Sequence, residues 1–200
     1  MDFETVVYHT CKDTGDIDRI ERNAPFRSKW KSGSDPLNPP KQPFLSEGFY
    51  FWEEDEPSAH WWGKMHYNPE YVVFRYNVTI DQSLILDLIG NPRDKKRLVQ
   101  MASVVVSRGN PGHTDASKIP IGVVLDFMRD YSGTNFPYQG VRALDINRGQ
   151  GGGAIIGRPF AAHDPHRVLP DNPQFILCLF KFSNHTLQDR TVTHPEHYCL

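Results

Sequence analysis

Apolar and β-branched residues recur at alternate positions in several short stretches of the chain, which is the pattern of half-buried β-strands. The clearest is 71–80, where Tyr76, Val78 and Ile80 alternate with polar residues after an apolar start. A later stretch, 174–182, contains a continuous apolar run, as expected for a buried central strand. The predicted strands cover 4–10, 48–52, 71–80, 84–88 (separate from the preceding strand or continuous with it), 138–144 and 174–182.

Other segments favour helices instead. Pro57 suits the first turn of a helix, where its missing N–H would have no partner, and Ala59 and Trp62 then share one face. The predicted helices are a short one over 17–22, one from Pro57, one over 94–108 and one over 119–131. The chain shows no internal repeat and no linker. This order of elements predicts one α+β domain over residues 1–200.

Three stretches show neither the alternation of a strand nor the spacing of a helix. Residues 12–43 are polar and contain five prolines, with only the short helix among them. A loop of this length in a compact domain is often functional, so it is predicted to govern access to a binding site. Residues 148–157 are glycine-rich, and the polar tail 183–200 is predicted to be loose.

Composition narrows the classes of function. The net charge of -2 over 200 residues argues against a general nucleic-acid or membrane-surface binder. No apolar run approaches the roughly 20 residues that span a bilayer, and the first residues do not resemble a signal peptide. The three cysteines are far apart and form no CxxC pair. A cytoplasmic protein without a disulfide framework or a metal site is therefore expected.

Two sequence motifs lead to a functional hypothesis. One is Gly48-Phe49-Tyr50-Phe51, an aromatic strand followed by an acidic turn and a helix that contains Ala59 and Trp62. The other is the histidine of the first strand, in Tyr8-His9-Thr10. Together they resemble bacterial members of the ADP-ribosyltransferase fold. The resemblance implies a split β-sheet with flanking helices, which binds NAD+ in the split between two small sheets.

The resemblance also implies roles for the residues of these motifs. His9 would bond the ribose next to the nicotinamide, with a backbone contact added by Thr10. Gly48 opens the aromatic motif and is counted with the cofactor-binding residues. Tyr50 would stack on the nicotinamide ring, whose positive charge favours an aromatic face. The alternatives are that His9 is an ordinary strand residue with its hydrogen bonds satisfied, and that Tyr50 is an aromatic residue of the core.

A third family element is a glutamate at the start of a late strand, and here that position holds Gln174. An amide can orient the ribose 2'-hydroxyl but supplies no full negative charge to an oxocarbenium-like state. Asp171 is a fallback carboxylate if the register differs by three. Transferases directed at arginine place a second carboxylate two residues earlier, where this chain has Asn172, so arginine is a disfavoured acceptor.

Other residues are candidates for ligand contacts. Arg142, Arg148 and Arg158 would meet the NAD+ pyrophosphate or else lie on the surface. The run Gly151–Gly153 would let the backbone approach a ligand or form a flexible turn. Two histidines in 163–166 flank an aspartate, but nearby prolines favour a surface loop over a metal site.

The implied reaction is attack on the anomeric carbon of the nicotinamide ribose of NAD+, with nicotinamide leaving and ADP-ribose passing to an acceptor. The acceptor stays open: a protein side chain, a nucleic-acid base, a small molecule or water. One alternative is a catalytically weak or inactive module that binds NAD+ or an ADP-ribose-like ligand, which Gln174 favours. Another is an RNA 2'-phosphotransferase or an antibiotic-modifying enzyme of the same fold.

Overall fold

The computed structural model describes residues 1–31, 42–108, 115–145 and 174–199 of the 200-residue chain. Within these ranges the chain forms eight β-strands and four α-helices. The strands are β1 (Asp2–Lys12), β2 (Arg27–Ser28), β3 (Gly48–Glu53), β4 (Tyr71–Asp81), β5 (Ile85–Asp87), β6 (Gly140–Leu144), β7 (Phe175–Leu179) and β8 (Leu187–His194). The helices are α1 (Ile17–Asn23), α2 (Glu56–Tyr67), α3 (Pro92–Ser107) and α4 (Ile121–Ser132).

All eight strands belong to one mixed sheet. Seven of them follow the order β5, β6, β7, β3, β1, β4, β8, and the short β2 pairs with β3. Only β5 and β6 run parallel among the described pairs. β1 and β4 pair over eleven residue pairs, whereas β1 and β3 pair only at Val7↔Glu53 and Tyr8↔Trp52. The sheet is therefore least continuous at its centre.

The sheet has a hydrophobic core on each face, because successive strand residues point to opposite sides. On one side, Trp52 of β3 packs with buried residues of α3 and α4 such as Leu98 and Leu125. On the other side, Phe51 packs in a cluster that includes Ile20 of α1. The expected mixed α+β fold, a sheet with flanking helices, is confirmed.

Helix α2 begins where the sequence predicts and lies close against β4. The Asp55 carboxylate accepts the Ser58 N–H at 3.0 Å, and Pro57 occupies the first turn. A Cβ added to Gly63 would lie 2.3 Å from the Cδ2 atom of Tyr71. Because interiors are close-packed, only a residue without a side chain allows this approach.

The other predicted elements each have a counterpart in the structure within a few residues. A short 3-10 turn over Gln82–Leu84 separates β5 from β4, so the predicted 84–88 strand is a separate one. The predicted loop 12–43 contains α1 and also the short β2. None of the helices in the described ranges is long and apolar enough to cross a membrane.

The prediction of a loose tail was wrong. Residues 187–194 form β8, which pairs with β4 at Phe74↔Val192 and Val78↔Leu187, among other positions. Leu187 and Val192 pack against the core cluster that contains Phe74. The residues between them are polar and mostly exposed, as is usual for an edge strand. Its backbone pairing leaves little trace in composition, so the sequence pattern does not distinguish this strand from a loose tail.

We expect the β8 amides that face β4 to exchange with solvent about 100-fold more slowly than those of an unstructured segment, because exchange requires opening of the pairing. Hydrogen exchange followed by mass spectrometry or NMR over 187–194 measures this. Thr14 and Asp16, exposed residues outside the helices and strands, are the internal reference. Equally fast exchange in both segments would contradict the β8 pairing.

Candidate functional site

His9 lies where β1 and β3 separate. The two strands stop pairing after Tyr8↔Trp52, and from that point the imidazole of His9 spans the gap. Its Nδ1 atom is 2.9 Å from the carbonyl oxygen of Tyr50, and its Nε2 atom accepts the N–H of Phe26 at 3.0 Å. Because the amide of Phe26 can only donate, Nε2 carries no proton. The neutral tautomer with hydrogen on Nδ1 therefore donates to Tyr50.

Burial holds this imidazole neutral. His9 is 5 % exposed, and burial lowers its pKa from 6.5 to about 4, although the hydrogen bond to the Tyr50 carbonyl acts in the opposite direction. The ring also contacts Phe26 and Phe51. His9 is thus a polar bridge in an aromatic setting, and both of its nitrogens already have partners.

Thr10 and Gly48 hold neighbouring elements together. The Thr10 hydroxyl donates to the carbonyl oxygen of Ala59 at 2.8 Å, a buried hydrogen bond that joins β1 to α2. A Cβ on Gly48 would lie 2.5 Å from the Sγ atom of Cys178 and 2.8 Å from the Leu179 carbonyl oxygen. The absence of a side chain there lets β3 approach β7.

The hydroxyl of Tyr50 is bound to the chain just before it. It donates to the Ser46 carbonyl oxygen and accepts the Leu45 N–H, both at 2.7 Å. Burial raises the pKa of Tyr50, so the hydroxyl stays protonated. The ring packs against the core on the side of α3 and α4, whereas the His9 ring lies against Phe51 on the other side. The structure thus brings His9 to the Tyr50 carbonyl and not to its ring.

Gln174 lies at the edge of a charged cluster formed by Arg142, Glu53 and Asp87. It directly precedes β7, is buried, and its carbonyl oxygen accepts the Asp145 N–H at 2.8 Å. The next residue, Phe175, pairs with Glu53 of β3 and with Leu144 of β6. Gln174, which holds the place of the family's glutamate, is therefore adjacent to the end of β3 that carries Glu53.

Arg142 binds carboxylates in this cluster. Its Nε and Nη2 atoms donate to the two Glu53 oxygens at 2.6 and 2.8 Å, and its Nη1 atom is 3.6 Å from an Asp87 oxygen. The guanidinium also faces the rings of Phe3 and Phe175, at 5.4 and 5.1 Å from their centroids. A bidentate pair of this kind is the strongest ion-pair geometry. The guanidinium that was predicted to meet a pyrophosphate joins β3, β5 and β6 in this structure.

Sequence reasoning missed a cleft at the opposite end of β3. It encloses about 660 Å³ between α4 and the end of β7, and lies about 20 Å along the strand from Gln174. The Ser46 hydroxyl donates to Asp126 and accepts from Arg129 at 2.8 Å. Four aromatic residues line the cleft: Trp30, Phe136, Tyr138 and Phe180. They come from three distant parts of the sequence, so no local motif indicates them.

Several predicted ligand contacts lie outside the described residues: Arg148, Arg158, Gly151–Gly153, the histidines of 163–166, Asp171 and Asn172. Within the ranges that are described, no group of three histidine, cysteine or acidic side chains could hold a metal ion. The three cysteines are free thiols, and Cys11 and Cys178 are buried.

The neutral state of His9 makes stability depend on pH. Between pH 6.5 and about 4 the unfolded chain binds a proton that the folded protein does not. The contribution is fully present above pH 6.5 and is lost as the pH falls toward 4, by about 3 kcal/mol in all. Urea unfolding at pH 7 and pH 4.5 measures it. The variant His9→Gln cannot titrate and is expected to lose less stability over this range, and equal losses would contradict the assignment.

Removing the Arg142 cation leaves the Glu53 carboxylate buried without its partner. We expect Arg142→Met to lower the free energy of unfolding by about 3–5 kcal/mol, and the double variant with Glu53→Gln to recover part of it. The matched control is Arg190→Met, because the Arg190–Glu21 pair is more than a third exposed and is expected to contribute less than about 1 kcal/mol. Similar losses in both single variants would contradict a buried ion cluster.

Comparison of the chain with protein-family models, with curated proteins and with solved structures found no match. Function is therefore inferred from the arrangement of the chain's own residues, above all His9, Tyr50 and Gln174.

Proposed function

We propose that the protein is an NAD+-binding, ADP-ribosyltransferase-like enzyme that cleaves the nicotinamide–ribose bond and transfers ADP-ribose to an acceptor. The observation that carries the proposal is the order of three strands. His9 on β1, Tyr50 on β3 and Gln174 directly before β7 come from distant parts of the sequence, yet β7, β3 and β1 are consecutive strands of the sheet. These are the three elements that the resemblance requires.

The uneven pairing of the sheet supports a split at the same place. β1 pairs with β3 at two positions, but with β4 at eleven, and β3 pairs with β7 at five. The sheet thus consists of two well-paired halves joined by a short contact, and His9 lies beside that contact. A ligand that enters between the halves would meet His9 first on the β1 side.

The side chains present fit a neutral, hydrogen-bonding role toward a ribose. The Nε2 atom of His9 is a hydrogen-bond acceptor at neutral pH and suits a hydroxyl donor. The Gln174 amide can accept from a 2'-hydroxyl. Cleavage develops positive charge on the ribose, and a carboxylate would stabilise that charge more than an amide does. The neighbouring Glu53 is paired with Arg142, so its charge is already balanced. We therefore expect slow cleavage of the nicotinamide–ribose bond.

A second candidate is a module that binds NAD+ or an ADP-ribose-like ligand without turning it over. The observation that favours it is that both oxygens of the nearby Glu53 accept from Arg142, so this carboxylate is already balanced. Such a site would keep the hydrogen bonds that recognise a ribose and lose the charge that speeds its cleavage.

The variant Gln174→Glu separates the two candidates. We expect it to raise the rate of nicotinamide release from NAD+ by about tenfold to 100-fold, because it adds a charge where positive charge develops. The measurement is nicotinamide release by purified protein, with and without lysate as a source of acceptor. Gln188→Glu, at an exposed position of β8, is the matched control.

Tyr50 provides a second arm of the same experiment. Tyr50→Ala is expected to abolish release. Because the ring packs against the core, the loss counts for the site only if the variant keeps the parent's melting temperature. Tyr50→Phe keeps the ring and is expected to retain release. NAD+ that raises the melting temperature of both parent and Gln174→Glu without any release would favour the binding module. An absence of both release and a melting shift in every variant would refute an NAD+ site.

A further inference from the structure

Phe26 covers the nitrogen of His9 that the proposed site needs. Its N–H occupies Nε2 at 3.0 Å, and its ring stacks on the imidazole at 6.4 Å between centroids with an angle of 22°. His9 is 5 % exposed, whereas Phe26 is 42 % exposed. Phe26 therefore lies on the solvent side of His9, and a ligand cannot bond Nε2 while the Phe26 amide does.

Beyond the buried Pro25, the segment that carries Phe26 is held by few and largely exposed contacts. It connects α1, which is anchored by the buried Ile20, to β2, which pairs with β3 at only two positions. Arg27 is 3.7 Å from Glu47, with both side chains about a third exposed, and the Trp30 N–H donates to the same carboxylate. Regions with few buried contacts and exposed hydrogen bonds open at low free-energy cost.

We propose that Phe26 is a cover over His9 which a ligand displaces, so that the ligand's hydroxyl replaces the Phe26 amide on Nε2. The ligand class rests on the proposed function: the ribose of a nicotinamide nucleotide. The exchange is balanced in hydrogen bonds, because Nε2 keeps a donor in both states and the released amide reaches water. Phe26 thereby lowers the affinity of the site for the ligand and delays the ligand's entry. It also shields the gap between β1 and β3.

The cover is tested first without any nucleotide. Diethyl pyrocarbonate acylates unprotonated imidazole nitrogens, and peptide mass spectrometry reports its rate at His9 separately from the other histidines. Phe26→Ala is expected to raise the rate at His9 by about threefold to tenfold, the scale of one lost aromatic contact. Phe26→Leu, which keeps bulk over the ring, should give a smaller rise. Trp30→Ala removes an exposed aromatic of the same segment that does not touch His9, and should leave the rate unchanged.

The second measurement is the affinity of the same proteins for NAD+ by calorimetry. We expect Phe26→Ala to bind more tightly than the parent, and NAD+ to slow modification of His9. Equal modification rates in parent and Phe26→Ala would overturn the cover. Faster modification with weaker NAD+ binding would also overturn it, because Phe26 would then be a ligand contact. Faster modification with no NAD+ binding in either protein would support the cover and refute the proposed function.

Discussion

The hydrogen bond from His9 to the Tyr50 carbonyl is the contact on which the centre of the sheet depends. β1 is fully paired with β4, but its backbone contact with β3 ends after two positions. Beyond them a side chain replaces the ladder and satisfies a carbonyl that the departing strand leaves open. A backbone pair would fix the strands at one spacing. An imidazole allows them to diverge and still compensates the buried acceptor, which would otherwise cost about 1–3 kcal/mol.

The second polar contact, around Arg142, has a different physical character. Its charges are buried and close, and each is compensated by the others, so they fix the relative positions of β3, β5 and β6. The ring of Phe3, at the start of β1, faces the same guanidinium. The half of the sheet on the β7 side is thus held by ion pairs as well as by backbone pairing. The joint with β1 relies on neutral groups and is the more easily opened of the two.

Periodicity predicted the elements but not their partners. Alternation in 71–80 and the apolar run in 174–182 reflect burial, which composition records directly. β8 was missed because an edge strand is held by backbone hydrogen bonds, and between Leu187 and Val192 its side chains are polar. The residues of the candidate site divide in the same way, into those that a sequence motif indicates and those that only the fold brings together. His9 stood out through its motif, whereas its partner Phe26 lies seventeen residues later in an irregular segment and bonds through its backbone. The carboxylates around Arg142 also come from distant strands.

The same neutrality that lets His9 hold the joint limits what the site can do by itself. In the proposed site, a neutral imidazole and an amide would recognise a ribose by hydrogen bonds whose strength changes little as positive charge develops. They would therefore stabilise the ground state and the transition state almost equally. Binding of that kind raises affinity more than turnover. Any large acceleration would have to come from a negative charge that is not already balanced. Glu53 does not meet this condition while Arg142 holds both of its oxygens. If the proposed site binds NAD+, the charge beside Gln174 decides its balance between binding and catalysis.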